Sequence, residues 1–430
     1  MSLSREPGTA TTLRHNPLNA VTATVERITH EDGSTYIRKE LRQPVQEAGA
    51  AGVDEERPRS APGGAESGAA GPGSGAGGAT SGAAGPGAGA GAGGATSGAA
   101  GPGAGAGAGG TTSGAAGPGA GAGAGGTTSG AAGAGVRSWA ASTDPRHWNY
   151  WRREADVYLD DEVRAQLLGT GLVLPGGEVE EVDGGAVLYL EDVAGRAGTE
   201  FGLEDHAALA RAVGRWQARP AVVRPWTSVG FLREYSTTRE VPWNLLYDDA
   251  AWRQPLVAEN WPAGLREGWE RVVAQRDELL TIVEQAPRAG CHLDLWVCNA
   301  IRREDGEIAL LDWAFCGDGA LREDIGNHIP DAVFDLFWPA ERLPELAETC
   351  IESYLEGLRE GGWRGEADVV RRAVMAAAVK YAWLLPGLLG RASDSSHKAY
   401  HQEADSRQLF QQRGIALKFV ADWCAEALKG

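Results

Sequence analysis

The chain has 430 residues and a formal charge of −18 at pH 7, with 58 acidic against 40 basic side chains. This charge argues against nucleic acid and anionic membrane surfaces as partners. It mildly favours a cationic ligand, although an acidic surface is also a common route to solubility. The five cysteines form no CxxC pair or zinc pattern, which fits a reducing cytoplasm. No apolar leader and no uninterrupted apolar run of membrane-spanning length is present, so we expect a cytoplasmic protein without membrane contact.

The first predicted element is a β-hairpin. Residues 21–28 and 35–41 alternate in polarity and are rich in β-branched side chains, and the Glu-Asp-Gly-Ser stretch at 31–34 is typical of a turn. Lys39 lies late in the second strand and is the candidate cation of this region. Arg38 is the alternative, but alternation along a strand puts it on the opposite face.

A glycine-rich segment follows the hairpin. From Ser67 to Gly135 it holds no charged residue, and a sixteen-residue unit recurs at Ala79–Gly94, Ala95–Gly110 and Thr111–Gly126. Such a segment cannot bury enough apolar area to offset the entropy of ordering its backbone. We therefore predict a disordered low-complexity insertion over 45–136. Stacked, silk-like β-structure is the alternative, against which the recurring prolines count.

A helix and a buried strand are predicted after the insertion. Apolar residues at helical spacing indicate a helix over 147–158, for which Asp144 supplies a plausible start. Glu154 lies in this helix, and the order of the elements favours it as the ion-pair partner of Lys39 over a surface carboxylate. The segment Ala186–Val193 is an apolar strand that turns polar at its end.

The stretch 291–299, Cys-His-Leu-Asp-Leu-Trp-Val-Cys-Asn, carries most of the chemical information. Transfer of a phosphoryl group needs a carboxylate that accepts the hydroxyl proton, ligands for Mg²⁺ and a cation on the phosphate oxygens. Asp294 offers the base, and Asn299 and Asp312 offer the oxygen ligands that Mg²⁺ prefers. The alternative is that the spacing of His292, Asp294 and Asn299 arose by chance. The apolar strand that ends in Asp312-Trp313 counts against this alternative.

The rest of the chain is predicted to be mainly helical, which gives an α+β fold without regular alternation of strands and helices. Periodicity predicts helices that close at Gly361, Pro386 and Gly430. The predicted helices cover 203–219, 264–285, 343–360, 366–385 and 403–428.

These residues resemble the aminoglycoside phosphotransferase family, within the protein-kinase-like fold that also includes choline kinases. The resemblance rests on the loop 292–299, on Asp312-Trp313 in place of the protein-kinase Asp-Phe-Gly, and on Glu323–Asn327 downstream. No glycine-rich lid precedes Lys39, which also favours this family over protein kinases. The resemblance implies a bilobal fold with a small β-rich N-lobe and a larger helical C-lobe. Its parts would be 1–44 and 137–193 for the N-lobe, 45–136 for the insertion and 194–430 for the C-lobe.

By this resemblance, Asp294 is the catalytic base and His292 belongs to the catalytic loop. Asn299 and Asp312 hold Mg²⁺. Asp324 steadies the catalytic loop.

The resemblance also implies a nucleotide site. Lys39 and Glu154 organise the phosphates of ATP or GTP. The hinge between the lobes, near Glu191–Val193, would present backbone groups to the base.

The implied reaction transfers the γ-phosphoryl group to a hydroxyl of a small molecule, such as an aminoglycoside or an amine-bearing metabolite. Leu293 stands where the family usually has glycine, and a bulkier residue there can reshape the acceptor side. The expected lining of an acidic acceptor cleft is Asp331, Asp335 and Trp338. The alternative is a helix that packs Phe334 and Phe337 inward.

A second hypothesis is a non-catalytic nucleotide-binding or scaffold protein in which the Gly-Ala repeat is an assembly element. The intact set of Asp294, Asn299 and Asp312 counts against it. The oligomeric state stays open at this stage.

Overall fold

The computed structural model describes residues 8–13, 20–44, 140–238, 240–400 and 402–429, all within one compact unit. The insertion predicted over 45–136 lies outside these residues. The strands are β1 Thr9–Thr12, β2 Thr22–Thr29, β3 Thr35–Arg42, β4 Leu172–Val173, β5 Gly177–Val182, β6 Gly185–Glu191, β7 Arg196–Ala197, β8 Ser228–Val229, β9 Arg288–Cys291, β10 Ala300–Arg302, β11 Ile308–Leu310, β12 Gly317–Ala320, β13 His397–Ala399 and β14 Gln402–Ala404.

Helices dominate the described residues after β7. The α-helices are α1 Arg153–Leu159, α2 Asp161–Leu167, α3 Leu203–Gln217, α4 Phe231–Thr238, α5 Asp249–Trp252, α6 Pro255–Asn260, α7 Leu265–Ala274, α8 Arg276–Glu284, α9 Glu323–Phe334, α10 Leu343–Glu360, α11 Ala367–Ala377, α12 Leu384–Leu389 and α13 Ser406–Ala427. Short 3₁₀ turns cover Gly198–Glu200, Trp243–Tyr247, Val297–Asn299, Ala340–Arg342 and Ala378–Tyr381.

The N-terminal sheet has the strand order β1-β2-β3-β6-β5, and its neighbouring strands are antiparallel. The predicted hairpin is confirmed: β2 pairs with β3, and Gly33 takes a φ of 83° in the turn that joins them. Lys39 lies opposite Val25 on one side and Leu188 of β6 on the other. The sheet therefore carries the candidate lysine on a central strand.

The helix that carries Glu154 is shorter than predicted. It begins at Arg153, so the predicted start near Asp144 is wrong. Residues 144–152 form turns instead, because their backbone groups bond locally: the amide of Tyr150 donates to the carbonyl of His147 over 3.1 Å. Glu154 thus lies in the first turn of α1.

The predicted helices over 203–219 and 343–360 are confirmed as α3 and α10, which pack against each other at glycines. A Cβ at Gly357 would lie 2.0 Å from the carbonyl oxygen of Arg211. Only glycine permits this approach of the two backbones.

Two predicted helices are interrupted. The predicted helix 264–285 breaks at Gln275 into α7 and α8, and 366–385 divides into α11, a 3₁₀ turn and α12. Pro386 lies inside α12 and does not end it. One cause is visible at Ala382, whose carbonyl has no helical donor because proline occupies position 386, four residues on; it accepts from the indole of Trp269 over 3.0 Å instead. Apolar spacing reports which face is buried, not whether the backbone ladder is continuous.

The last predicted helix begins later than expected. Residues 402–404 form a strand of the β13–β14 hairpin, and α13 starts at Ser406, where Asp405 caps it by accepting from the amide of Gln408 over 2.7 Å. The prediction of a helix from residue 403 is therefore wrong for its first turn.

The segment Ala367–Leu389 is long and apolar enough, by composition alone, to cross a membrane. However, 83% of its most apolar window is buried inside the fold, and the 3₁₀ turn interrupts the helix. This burial is what a core segment of a globular fold shows.

Two small sheets position the catalytic stretch. One has the order β4-β11-β10-β7 and the other β8-β12-β9. Residues 292–299 connect β9 to β10, and Asp312 lies between β11 and β12. Because β10 pairs with β11 and β9 pairs with β12, the two segments are held side by side.

Candidate active site

Asp324, at the start of α9, fixes the backbone of the catalytic loop, residues 292–299. Its buried carboxylate accepts from the backbone amides of His292 and Leu293 over 2.9 and 2.7 Å. Gln217 of α3 donates to the same carboxylate over 2.8 Å. The contact predicted for Asp324 is therefore present, and it fixes the backbone just before Asp294.

Asp294 and Asn299 face each other across the loop. The side-chain amide nitrogen of Asn299 donates to the carbonyl of Asp294 over 3.0 Å and to its carboxylate over 3.2 Å. Asp294 is 5% exposed, and burial raises its pKa to about 7, with Asp312 and Asp331 adding to the rise while Lys380 opposes it. A carboxylate with this pKa is suited to accept a proton near neutral pH.

The side-chain oxygen of Asn299 is buried and has no hydrogen-bond partner among the described residues. Such an atom is costly unless something binds it. No group of three or more His, Cys, Asp or Glu side chains in the described ranges could hold a metal ion. The predicted pair, Asn299 and Asp312, would supply only part of a coordination shell, which fits Mg²⁺ because this ion keeps several waters and binds phosphate oxygens.

His292 supports the loop from inside the core. Its Nε2 lies 2.9 Å from the carbonyl oxygen of Leu311, and its ring meets Trp313 edge-on at 4.8 Å. Burial lowers the pKa of His292 to about 4, so the ring is neutral at pH 7. It joins the catalytic loop to the residue before Asp312.

Lys39 binds two carboxylates. Its Nζ lies 2.5 Å from Glu154 and 2.9 Å from Asp312, and all three side chains are buried. Burial alone would lower the pKa of Lys39, but Asp312 and Glu154 raise it above its usual value, so the lysine stays charged. The predicted pair with Glu154 is present, and the contact with Asp312 was not predicted.

A cavity opens beside this cluster, with about 560 Å³ of empty space when the open solvent at its mouth is included. Lys39, Glu154, Glu191 and Val193 all line it, so the four residues predicted to bind nucleotide share one space. The carboxylate of Glu191 accepts from the amide of Gly176 over 2.9 Å and thereby fixes the end of β6. Apolar residues contribute from both sides of the cavity: Val25, Ile37, Leu190, Ile301 and Leu311.

The predicted acidic acceptor cleft is not built as expected. Asp335 is buried and pairs with Arg413 over 3.2 Å. Trp338 is also buried, and its ring packs on His206 at 5.4 Å. Phe334 points into the core, as the alternative predicted, because it packs on Tyr381 at 5.0 Å. Side chains neutralised or packed in this way cannot line an open acidic surface, so the prediction is wrong for Asp335 and Trp338.

Leu293 has a φ of 65°, a conformation that favours glycine. Its side chain is fully buried and faces Gly319 of β12, where an added Cβ would lie 2.8 Å from Leu293 Cδ2 and 2.6 Å from Cys291 Sγ. The leucine thus fills space beneath the loop that a bare Gly319 leaves open. Its bulk is taken up inside the core, in contrast to the expected effect on the acceptor side.

Sequence reasoning missed Lys380, which is 2% exposed. Its Nζ lies 5.3 Å from the ring centroid of Tyr235 and 5.7 Å from that of Phe231. Burial would lower the pKa of Lys380, but Asp331 and Asp294 are among the groups that raise it. The available signal was a lone lysine within an otherwise apolar segment.

Arg153, the neighbour of Glu154, was also missed. Its fully buried guanidinium donates to the carbonyl of Ala314, two residues after Asp312, over 3.0 Å. Burial lowers the pKa of Arg153 to about 10. It thus ties the helix that carries Glu154 to the segment after Asp312. Its other carbonyl partners are Pro145, His147, Trp148 and Trp226.

A family model described as the phosphotransferase enzyme family matches residues 152–367, about half of the chain. The chain belongs to this family. The predicted α+β, kinase-like fold and the predicted family are thereby confirmed, and the matched range contains Glu154, Asp294, Asn299 and Asp312.

Several solved structures are similar to the chain. Amicoumacin kinase hAmiN, in complex with AMP-PNP, Ca²⁺ and Ami, is 14% identical in sequence, with a TM-score of 0.44. The match covers 96% of this chain and 90% of the kinase. An aminoglycoside phosphotransferase from Alicyclobacillus acidocaldarius is 16% identical, with a TM-score of 0.43. The match covers 64% of this chain and 82% of that phosphotransferase. A choline/ethanolamine kinase family protein from Mesorhizobium loti is 17% identical, with a TM-score of 0.38. The match covers 64% of this chain and 83% of that protein. No curated protein sequence matches the chain. Identities this low say nothing about the acceptor.

Proposed function

We propose that the protein transfers the γ-phosphoryl group of ATP or GTP to a hydroxyl of a small molecule. The observation that carries this proposal is the convergence of two sets of residues. Asp294 and Asn299 bond to each other in the catalytic loop, and Lys39, Glu154 and Asp312 form a buried charged cluster at the wall of the cavity. Family membership supports the same class of reaction.

In the proposed reaction, the acceptor hydroxyl lies against Asp294. Its oxygen attacks the γ-phosphorus, the bond from that phosphorus to the bridging oxygen breaks, and the nucleoside diphosphate leaves with the electron pair. Asp294 takes the hydroxyl proton and releases it to solvent. Because burial raises the pKa of Asp294 to about 7, this carboxylate can accept the proton near neutral pH.

The remaining residues hold the phosphates. Lys39 would donate to phosphate oxygens while Glu154 fixes its position. Asn299 and Asp312 would hold Mg²⁺, which when bound neutralises charge on the phosphates. The apolar walls of the cavity suit a planar base, and Glu191–Val193 would present backbone groups to it.

The test is Asp294→Asn, which keeps the shape but removes the base. We expect turnover to fall by on the order of 10²–10⁴, while the affinity for AMP-PNP changes little. Asp422→Asn makes the same change at an exposed position on α13 and serves as the control. Full activity of Asp294→Asn would refute the assigned base. Nucleotide binding by the wild type without turnover of any alcohol would favour the non-catalytic alternative.

A further inference from the structure

Three aromatic rings form a cluster beside the candidate base. Trp296 lies two residues after Asp294, and its backbone amide donates to the carbonyl of Asp294 over 3.1 Å. The Tyr400 ring lies 5.8 Å from Trp296 and 5.3 Å from Phe337, and both contacts are edge-on. Because Trp296 belongs to the same loop as Asp294, the cluster is anchored on the catalytic loop itself. We call these three residues the aromatic cluster.

The two outer rings come from different parts of the chain and are placed by the same buried ion pair. Phe337 follows the end of α9, and Tyr400 lies at the tip of the β13–β14 hairpin. Asp335 accepts from the amide of Tyr400 over 3.0 Å and from Arg413 over 3.2 Å. Arg413 in turn donates to the carbonyl of Phe334 over 2.6 Å. The pair therefore holds the hairpin tip against the end of α9.

The backbone is also in an unfavourable conformation at both outer rings. Tyr400 has a φ of 42°, and Leu336, immediately before Phe337, has a φ of 66°. Left-handed conformations at residues other than glycine persist only where the surroundings enforce them, and they concentrate at ligand-binding sites. Both rings are thus held in place at an energetic cost.

The cluster is only partly closed. Trp296 is 2% exposed, whereas Phe337 and Tyr400 are partly buried rings at the edge of the core. The indole nitrogen of Trp296 has no hydrogen-bond acceptor among the described residues. Phe337 and Tyr400 therefore leave part of their aromatic surface exposed, whereas the indole nitrogen of Trp296 is an unpaired donor buried beneath them; apolar and aromatic linings of this kind are typical of small-molecule sites.

We infer that the aromatic cluster is an acceptor subsite that takes an alcohol bearing an aromatic or similarly planar apolar ring close to the reacting hydroxyl. This inference rests on the proposed phosphotransfer. It replaces the acidic cleft expected from the sequence, since Asp335 is committed to Arg413 and serves to place Tyr400. The acceptor's ring would pack on Phe337 and Tyr400 while its hydroxyl reaches Asp294.

The first test compares acceptors on the wild-type full-length chain with ATP and Mg²⁺. Phenylalaninol and its saturated counterpart cyclohexylalaninol share the same amino alcohol and differ in the ring, which is planar and aromatic in the first and puckered, bulkier and more apolar in the second. Glucosamine and ethanolamine lack an aromatic ring. We expect kcat/KM to be about two- to tenfold higher for phenylalaninol than for cyclohexylalaninol, the range that aromatic pairing gives beyond buried area. This comparison needs no variant.

The second test uses Phe337→Leu and Tyr400→Leu, which keep apolar volume but remove the rings. Each should raise KM for phenylalaninol by about two- to tenfold and leave the affinity for AMP-PNP unchanged. Tyr400→Phe and Phe337→Tyr keep a ring and should retain low KM. Tyr247→Leu, at a 57% exposed tyrosine outside the cluster, is the control and should behave as wild type.

The outcomes separate the two proposals. If the wild type binds AMP-PNP but phosphorylates none of these four acceptors, the aromatic subsite is refuted; the proposed function fails with it only if no other alcohol is phosphorylated. If acceptors are phosphorylated but phenylalaninol has no advantage, or both leucine variants keep the wild-type KM, the aromatic subsite alone is refuted.

Discussion

The proposed nucleotide side and the proposed acceptor side of the site are built from different kinds of residues. On the nucleotide side, charged residues that are far apart in the chain, Lys39, Glu154 and Asp312, meet within 2.9 Å in a buried cluster. On the acceptor side, the acidic residue expected to bind a ligand, Asp335, is neutralised by Arg413, and the aromatic cluster is partly open instead. Under the proposed function, phosphate chemistry demands particular residue types, whereas the acceptor would be bound by shape and packing.

The largest effect is expected on the nucleotide side, from Lys39→Met. This change leaves two carboxylates buried without their cation, so we expect the free energy of unfolding to fall by about 3–5 kcal/mol. Phosphotransfer should fall by on the order of 10²–10³, because a preorganised cation is lost from the phosphates. Chemical denaturation and a turnover assay measure the two effects.

The matched control is Arg38→Met, one residue away on the opposite face of β3. Arg38 pairs with Glu26 over 3.2 Å, and its side chain is 32% exposed, so we expect a change in stability below about 1 kcal/mol and normal turnover. Equal losses of stability and turnover in Lys39→Met and Arg38→Met would contradict the special role assigned to the buried Lys39 cluster.

An intermediate effect is expected at Lys380, a buried lysine whose charge acts on Asp294. Burial raises the pKa of Asp294 to about 7, and the positive charge of Lys380 opposes that rise. Lys380→Met removes the opposition, so the pKa of Asp294 should rise further. Since the base works only when ionised, the acidic limb of the kcat/KM profile should move to higher pH, and activity at pH 7 should fall.

The readout for Lys380→Met is the position of the acidic limb, which a merely structural loss would not move. Lys418→Met, at a half-buried lysine on the surface of α13, provides the comparison. An unshifted profile with uniformly lower activity would show that Lys380 supports only the fold.

The smallest effect is expected beneath the catalytic loop. Gly319→Ala brings a Cβ to 2.6 Å from Cys291 Sγ and 2.8 Å from Leu293 Cδ2, so we expect a loss of about 1–3 kcal/mol in stability. Leu293→Gly relieves the backbone strain at φ 65° but empties a buried space, and we expect a net loss of similar size.

The double variant tests whether these two positions share one space. In Leu293→Gly with Gly319→Ala, the new methyl group meets one neighbour fewer, so the combined loss should be smaller than the sum of the single losses. Unfolding in denaturant gives the three values. Strict additivity would contradict the packing described beneath the loop.

Much of the nucleotide side was predictable from the sequence. The hairpin that carries Lys39 follows from β-branched alternation, and the catalytic loop follows from the spacing of Asp294 and Asn299. The helix breaks at Gln275 and Ala378–Tyr381 were not, because the apolar spacing continues across them. Lys380 and Arg153 were missed because neither is part of a recognisable sequence motif. Their burial and their partners arise only when segments distant in the chain pack around them.

By itself, the sequence determined the reaction class and the residues proposed to perform it, because Asp294 and Asn299 lie at a fixed spacing in one loop and Asp312 follows at the end of the next strand pair. Only the tertiary structure decided which side chains surround the catalytic loop. Asp335 and Tyr400 are 65 residues apart in the chain, yet one hydrogen bond between them places the ring beside the catalytic loop. Spacing along the chain does not encode such a contact, because it depends on how α9, the β13–β14 hairpin and α13 pack together.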